Sequence, residues 1–318
     1  MKILVTGALG HIGSRLIRNL PFSFPKSEIL MIDNMMTQRY CSLFNLPKEG
    51  NYSFIEGDIT EIDLMSIIEG VDIVVHLAAI TDATSSFDNA EQVEHNNLTS
   101  TKKMAQACSK KNVRLILLSS TSIYGDQKNQ VDESCSYMDL QPQSPYAITK
   151  LKEELLVKQY VEESGLKAII LRFGTIFGSS PGMRFHTAVN KFCWQASMGQ
   201  AITVWKTAYD QKRPYLDISD ACNAIVHVIG GSFSDGSIYN VLTQNLTVRE
   251  IVNKIRFFVP SLEINFVNNK IMNQLSYEVC DKKIRSTGYK PESNIIDSIK
   301  DELLVIKVNK SIVINKNE

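Results

Sequence analysis

The sequence predicts an α/β protein built on a doubly wound parallel sheet, with a smaller α/β region toward its C-terminal end. Short apolar runs alternate with helical segments along the first half of the chain. Three glycines follow the first apolar run directly, and the alternation weakens after Gly178. Strands joined by helices form parallel sheets that are covered by helices on both faces.

The predicted elements begin with a buried strand at Ile3–Val5, followed by apolar residues at helical spacing from Ile12 to Leu20. The clearest later helices are Lys102–Lys110 and Tyr146–Glu163. The further apolar runs that predict strands are Ile29–Ile32, Tyr52–Ile55, Val71–Leu77, Arg114–Leu118 and Lys167–Leu171.

Two domains are expected, residues 1–175 and residues 176–318. The second begins near Phe177–Gly182, where shorter mixed segments replace the regular alternation. Ile238–Val241 is predicted to be a strand that can return to the first domain. The terminal stretch Lys307–Glu318, with several Lys and Asn residues, is expected to fray.

Composition excludes several classes of function. The 318 residues are 44% hydrophobic, and 34 basic residues balance 34 acidic ones, so no global field favours nucleic acid or an anionic membrane. The six cysteines form no CxxC pair, which predicts reduced thiols and no metal site. Apolar runs of about 18 residues are absent from the sequence, and a cytoplasmic protein is expected.

The glycines Gly7, Gly10 and Gly13 are typical of a phosphate-binding turn. They lie where a strand gives way to a helix, so the amide groups of the helix N-terminus, including those near His11 and Ile12, would face a pyrophosphate. This position within a βα unit predicts a dinucleotide-binding, Rossmann-type sheet.

Asp33 and Asn34 end the second predicted strand, twenty residues after Gly13. A carboxylate here can accept hydrogen bonds from both adenosine ribose hydroxyls and repels the 2′-phosphate of NADP. Arg39 is able to hold a 2′-phosphate, but it lies several residues beyond the strand. NAD is therefore the predicted cofactor.

Tyr146 and Lys150 are four residues apart on a predicted helix and share one face. A neighbouring ammonium stabilises the ionised form of a phenol, which makes a tyrosine a usable general base. An isolated pair at this spacing is usually a solvated helix face. Here it follows a strand that ends in Ser119-Ser120, downstream of the glycine turn, and this context favours a catalytic pair.

These motifs resemble the extended short-chain dehydrogenase/reductase family, in its NAD-dependent nucleotide-sugar epimerase/dehydratase branch, and the likeness covers nearly the whole chain. The resemblance implies a catalytic Ser120 beside Tyr146 and Lys150, and Tyr146 and Lys150 also contact the cofactor. His11 stands where the family more often has an aromatic residue. The other positions that the resemblance assigns to cofactor binding are Gly7, Gly10, His11, Ile12, Gly13, Asp33, Asn34, Asp58, Ile59, Leu77, Ala78, Ala79 and Asn97.

The substrate implied by the resemblance is a nucleotide-diphosphate sugar. Arg213 in the segment Lys212–Asp217 matches an arginine that binds the diphosphate, and Arg184 is expected to add a second phosphate contact. Thr81 and Ser122 are expected to touch the substrate, and Thr175 replaces the asparagine of many epimerases.

Residues 121 and 122 separate the chain from the family's 4,6-dehydratases. Those enzymes carry an Asp-Glu pair there, whereas this sequence has Thr121 and Ser122, so an elimination would lack its acid and base. The expected reaction is epimerisation, most simply at C4 through a 4-keto sugar. A nucleotide-sugar 4-dehydrogenase or ketoreductase and a non-catalytic NAD-binding regulatory protein remain as alternatives. The resemblance also implies a homodimer through the Lys102 and Tyr146 helices.

Overall fold

The computed structural model describes residues 1–81, 83, 85–268 and 276–306. The stretch Lys307–Glu318, for which fraying was expected, lies outside the described residues. Within the described part, no helix is long and apolar enough to cross a membrane.

The described elements alternate as predicted in the first half of the chain. The strands are β1 Lys2–Thr6, β2 Glu28–Asp33, β3 Asn51–Glu56, β4 Ile73–His76, β5 Arg114–Ser120, β6 Ala168–Phe173, β7 Thr175–Phe177, β8 Ile202–Trp205, β9 Lys212–Asp217, β10 Asp235–Val241, β11 Gln244–Thr247 and β12 Ile264–Val267. The helices are α1 His11–Ser23, α2 Leu64–Ile67, α3 Ala90–Lys111, α4 Pro145–Ser164, α5 Ala188–Ser197, α6 Ile218–Gly230, α7 Val248–Phe258, α8 Lys282–Arg285 and α9 Ile295–Ile306.

Seven strands form one sheet in the order β10-β6-β5-β4-β1-β2-β3, and every pairing in it is parallel. The predicted doubly wound sheet is confirmed. The strand expected near Ile238–Val241 is part of β10 and pairs with β6 in this sheet. The strand order reverses between β1 and β4, and ligands bind at such a reversal, outside the carboxyl ends of the strands.

Helices cover both faces of the sheet, because successive apolar side chains of each strand point to opposite faces and both sets are buried. On one face, Ile3 and Val5 of β1 pack with α1 and α6. On the other face, Leu4 packs with Met104 of α3 and Val157 of α4. The helices of each face are thereby held by apolar burial on a common central layer.

The C-terminal region has its own apolar core. The small sheets β11-β9-β7 and β12-β8 pack with α5, α7 and α9 around Phe177, Phe192, Ile251 and Ile299. This arrangement agrees with the predicted smaller α/β region. Its strands β7 and β9 contribute residues to a cleft at the carboxyl edge of the large sheet.

The helix α3 begins at Ala90, well before the predicted start at Lys102. Its first half buries Val93, Asn97, Ser100 and Thr101. Three of these four side chains are polar, so a search for apolar residues at helical spacing does not detect this part of the helix.

A buried ion pair fixes α4 on the sheet. Ser144 caps the helix by accepting a hydrogen bond from the amide of Ala147 at 3.1 Å. Farther along, Glu154 accepts hydrogen bonds from Nε and NH2 of Arg172 on β6, at 2.9 and 2.7 Å. Glu154 also accepts one from the Ser119 hydroxyl at 2.5 Å. Both charges are buried, so the rotation of α4 about its axis is tightly specified.

Replacing Glu154 by alanine leaves the Arg172 guanidinium buried without its counter-charge. We expect the free energy of unfolding to fall by about 3 to 5 kcal/mol, measured by chemical denaturation. The control is Glu162→Ala, an exposed carboxylate on the same helix, for which the change stays within about 0.5 kcal/mol. A loss below about 1 kcal/mol at Glu154 contradicts the role assigned to the pair.

Candidate active site

A cleft of about 700 Å³ runs along the carboxyl edge of the large sheet and into the C-terminal region. It brings together residues from β2, β5, α4, β7 and β9 with those of the turn after β1 and of the segment after β4. The predicted site residues that line it are Gly7, Gly10, His11, Ile12, Gly13, Asp33, Asn34, Asp58, Ile59, Leu77, Ala78, Ala79, Thr81, Ser120, Ser122, Tyr146, Lys150, Thr175, Arg184 and Arg213. Asn97 does not line it.

The glycine turn leaves no room for side chains. A Cβ on Gly13 would lie 2.4 Å from the carbonyl oxygen of Gly7, and a Cβ on Gly7 would lie 2.8 Å from the backbone nitrogen of Ala78. Gly7 also has a φ of 62°, in the left-handed region. Gly10 at the N-cap offers no side chain to the first turn of α1, so the positive end of that helix opens into the cleft.

The segment 178–184 closes over the glycine turn from the C-terminal region. The Ser180 hydroxyl donates to the carbonyl oxygen of His11 at 2.8 Å, and the Gly182 amide donates to the Ser14 hydroxyl at 2.9 Å. A Cβ on Gly182 would lie 2.2 Å from the carbonyl oxygen of Leu9. The turn is therefore held between two parts of the chain that are far apart in sequence.

His11 takes part in this clamp. Its Nε2 lies 2.7 Å from the carbonyl oxygen of Gly178, and a carbonyl only accepts, so Nε2 carries the proton. Burial and the charge of Arg184 lower the pKa of His11 to about 3. A neutral histidine thus fills the usual aromatic position and adds a hydrogen bond that phenylalanine could not make.

Asp33 ends β2 with both carboxylate oxygens oriented by the backbone. They accept hydrogen bonds from the amides of Leu9 and Met35, each at 3.0 Å. The neighbouring Asn34 donates to Asp58 at 3.0 Å. Burial alone would raise the pKa of Asp58, but hydrogen bonds from Asn34 and Thr60 outweigh it and lower that pKa. The carboxylates of Asp33 and Asp58 therefore define this end of the cleft.

Asn97 lies behind the wall formed by residues 77–81. It is fully buried, and its amide accepts from the Ile80 amide at 2.8 Å and donates to the Ile80 carbonyl at 2.9 Å. The direct cofactor contact expected for Asn97 has no support in this geometry. The side chain instead holds the backbone whose outer face lines the cleft.

Ser120 and Ser122 lie together at the end of β5. Their hydroxyl oxygens are 2.9 Å apart, and the Ser122 amide donates to the Ser120 hydroxyl at 3.2 Å. Thr121 between them is buried, with its hydroxyl on the carbonyl of Phe173 at 3.3 Å. The turn after β5 therefore presents two hydroxyls side by side in the cleft wall.

Tyr146 and Lys150 line the cleft from the first turns of α4. The Lys150 ammonium is buried and donates to the carbonyl oxygen of Leu118 at 3.0 Å and to Glu153 at 2.7 Å. Burial by itself would lower the pKa of Lys150, but Glu153, Tyr146 and Glu154 together outweigh burial and raise that pKa. Lys150 is therefore positively charged beside Tyr146.

Arginines extend across the other end of the cleft. Arg184 donates a hydrogen bond to the Thr81 hydroxyl, which joins the C-terminal region to the end of the segment after β4. Arg213 on β9 also lines the cleft, as does Thr175 on the adjacent strand β7. This end of the cleft is suited to an anion.

Several residues in this wall were not identified from the sequence. They come from α5, β8 and β9 and belong to no motif with a fixed spacing, so only the tertiary fold brings them to the cleft. These residues are Lys191, Phe192, Thr203, Trp205 and Tyr215.

Comparison with known proteins identifies the family of the chain. Residues 3–241 match the NAD dependent epimerase/dehydratase family. An uncharacterized UDP-glucose epimerase of Bacillus subtilis (strain 168) is 30% identical over 315 residues, which are 95% of this chain and 97% of that protein. A trifunctional UDP-glucose 4,6-dehydratase, epimerase and reductase of Arabidopsis thaliana is 29% identical over 94% of this chain, which spans only 46% of that protein.

Among solved structures, a UDP-glucuronic acid 4-epimerase from Bacillus cereus, in complex with UDP-glucuronic acid and NAD, superposes with a TM-score of 0.88. It is 25% identical, and the alignment covers 96% of this chain and 99% of that one. The resemblance drawn from the motifs is confirmed, as is NAD as the cofactor. The chain belongs to the NAD dependent epimerase/dehydratase family.

Proposed function

We propose that this protein is an NAD-dependent nucleotide-sugar 4-epimerase. The observation that carries the proposal is the meeting, in one cleft, of the glycine turn, the Ser120 hydroxyl, the Tyr146 phenol and the buried Lys150 ammonium. Residues 1–175 together with β10 hold the cofactor in this proposal, and the rest of residues 176–318 bind the sugar nucleotide.

The glycine turn and Asp33 fit NAD. The crowding around Gly7 and Gly13 is that of a backbone shaped to approach a pyrophosphate, and the Asp33 carboxylate offers acceptors for ribose hydroxyls. When bound, NAD supplies a reversible hydride acceptor. Its pyrophosphate would lie at the N-terminus of α1.

Tyr146 is the proposed base. Its phenolate oxygen takes the proton of the sugar C4 hydroxyl, and the same oxygen returns the proton when the hydroxyl forms again on the opposite face. Lys150 stabilises the phenolate by its charge, and Ser120 donates a hydrogen bond to the sugar oxygen. Ser122, whose hydroxyl is 2.9 Å from that of Ser120, orients this donor.

The substrate is proposed to be a UDP-sugar. Arg213 and Arg184 provide guanidinium groups for the diphosphate, and Trp205 offers an aromatic surface for the base. The curated relative from B. subtilis is named as a UDP-glucose epimerase, and the B. cereus structure holds UDP-glucuronic acid. Thr81, which accepts a hydrogen bond from Arg184, and Thr175 also line the cleft and are proposed to contact the substrate.

Some relatives are 4,6-dehydratases, but the site argues against that reaction here. The residues after Ser120 are hydroxyl-bearing, and Thr121 is committed to the backbone of Phe173. Neither can supply the acid and base that removal of water across a carbon–carbon bond requires. Epimerisation needs only the one base and its hydrogen-bonding partner.

We also propose a cytoplasmic homodimer formed through α3 and α4. These two helices pack closely on one face of the sheet, and α4 leaves Ile148 and Leu155 exposed at 41% and 46%. All six cysteines are unpaired, as suits a reducing compartment.

Substituting alanine at Gly13 places a methyl group against the Gly7 carbonyl and distorts the phosphate turn. We expect NAD binding, measured by calorimetry, to weaken at least about 10-fold. Gly230→Ala serves as the control, because its Cβ would meet nothing closer than 3.8 Å. Unchanged NAD affinity in the Gly13 variant contradicts the proposed position of the pyrophosphate.

The Tyr146→Phe variant removes the proposed base and keeps the ring. We expect kcat to fall by a factor of about 100 to 10,000, with KM and NAD affinity changed only a few-fold. Steady-state kinetics on the preferred sugar nucleotide measure this. Turnover that survives the substitution undiminished contradicts the mechanism.

The function itself is tested by incubating the purified protein with UDP-, dTDP-, GDP- and CDP-sugars and following the products by NMR and the cofactor by absorbance. We expect the C4 epimer of a UDP-sugar to accumulate without net NADH. Stoichiometric NADH with an oxidised sugar indicates the dehydrogenase alternative. Binding with no chemistry on any sugar indicates a regulatory protein.

A further inference from the structure

Two neighbouring carboxylates on α4 are both buried, but they differ in the number of hydrogen bonds that they accept. Glu154 accepts hydrogen bonds from Ser119 and from two nitrogens of Arg172. Glu153 has one partner among the described residues, the Lys150 ammonium at 2.7 Å. Its other oxygen, Oε1, is buried with no hydrogen-bond partner in that part of the chain. Glu154 thus completes a structural pair, whereas Glu153 is committed to Lys150.

A half-satisfied buried carboxylate costs stability, since an ion pair in the interior must offset the desolvation of both charges. Nothing in the packing of α4 requires this cost, because Glu154 already anchors the helix. Glu153 lies about one helical turn from Lys150 and does not itself line the cleft, so it acts on the site through the charge of Lys150.

The other charged and titratable groups around this pair are few. Tyr146 lies on the same helix, and Glu154 is paired with Arg172 of β6. His76 on β4 faces Lys150, and burial together with the Lys150 charge lowers the pKa of His76 to about 3, so it stays neutral. The side chains that α3 buries are uncharged, and its Glu94 forms an ion pair with Lys152 of α4 at the surface.

We propose that Glu153 is a positioning residue for the reaction: it holds the Lys150 ammonium, offsets part of its charge, and so sets the pH range in which Tyr146 works as a base. This inference rests on the proposed function of the site. A negative charge beside Lys150 weakens the attraction of the ammonium for the Tyr146 phenolate. The same charge keeps the buried Lys150 protonated, since burial without a partner favours the neutral amine. Burial also raises the pKa of Glu153, and the Lys150 ammonium opposes that rise, so each charge of the pair supports the other.

The variant Glu153→Gln separates these effects from simple packing, because it keeps the size and removes the charge. The phenolate is then stabilised by an uncompensated ammonium, and the acid limb of the kcat–pH profile moves to lower pH. Lys150 loses the carboxylate that raises its pKa, so the alkaline limb also moves to lower pH. We expect each limb to shift by about one pH unit.

A second readout does not depend on turnover. The absorbance of the NAD-bound protein at the phenolate band, titrated with pH, is compared with that of the same protein carrying Tyr146→Phe, and the difference follows one phenol. In Glu153→Gln the midpoint of this difference is expected about one pH unit lower than in the Glu153 protein. Glu162→Gln, an exposed charge change on the same helix, leaves the profile and the midpoint unchanged.

Glu153→Asp keeps the charge on a shorter side chain and is expected to restore most of the original pH profile. If Glu153→Gln does not fold, the Asp variant still tests the proposal by a smaller shift in the same direction. In Glu153→Gln, or in Glu153→Asp if the Gln variant does not fold, limbs and a midpoint that match those of the unsubstituted protein overturn the proposal, and so does a uniform loss of kcat at all pH values. If the unsubstituted protein turns over no sugar nucleotide, the proposed function fails, while the absorbance midpoint still decides the role of Glu153.

Discussion

The buried pair between Glu154 of α4 and Arg172 of β6 is the constraint on which the geometry of the site depends. The pair joins the helix to the strand through an N–O distance of 2.7 Å. Both side chains are buried, so removal of either one would leave the other charge unpaired. The Arg172 guanidinium also donates to the Tyr124 hydroxyl at 2.9 Å, which in turn donates to Asn240 of β10 at 3.0 Å. With the hydrogen bond from Ser119 to Glu154, one network therefore links α4 to the three neighbouring strands β5, β6 and β10. Since Tyr146 and Lys150 lie about two turns and about one turn before Glu154, the network determines which way they face.

The cofactor end of the cleft depends on a different contact, the closure of segment 178–184 over the glycine turn. Hydrogen bonds from His11, Ser180 and Gly182 join the two parts of the chain. The region that carries Arg184 and Arg213 is thus attached to the region that carries the phosphate turn. The proposed substrate and cofactor contacts are thereby held in one frame, as a transfer between two bound molecules requires.

Much of this site can be predicted from the sequence, because the residues of each motif lie within one short stretch of the chain. Gly7, Gly10 and Gly13 lie within one strand–turn–helix unit, and Tyr146 and Lys150 lie within one helix. Asp33 follows a buried strand at a spacing that the βα unit fixes. In each case the spacing along the chain and the geometry of a single element determine where the side chain lies.

The remainder depends on contacts between distant parts of the chain. Asn97 was expected to contact the cofactor, but its side chain accepts a hydrogen bond from the backbone amide of Ile80. This contact depends on how α3 packs against the segment that follows β4. Glu153 and Glu154 look alike in sequence, and only β6 distinguishes the one that meets Arg172. Trp205 and Lys191 reach the cleft through the packing of the C-terminal region, for which no spacing rule exists.

The claim that one site oxidises and re-forms the same C4 centre is tested most directly by an isotope. A UDP-sugar that turns over, deuterated at C4, is incubated with the protein in ordinary water, and the epimer is examined by NMR and mass spectrometry. The account predicts that the deuterium remains at C4 of the epimer. Its replacement by solvent hydrogen would contradict the account, because the C4 hydrogen would then have left as a proton rather than as a hydride held within the site.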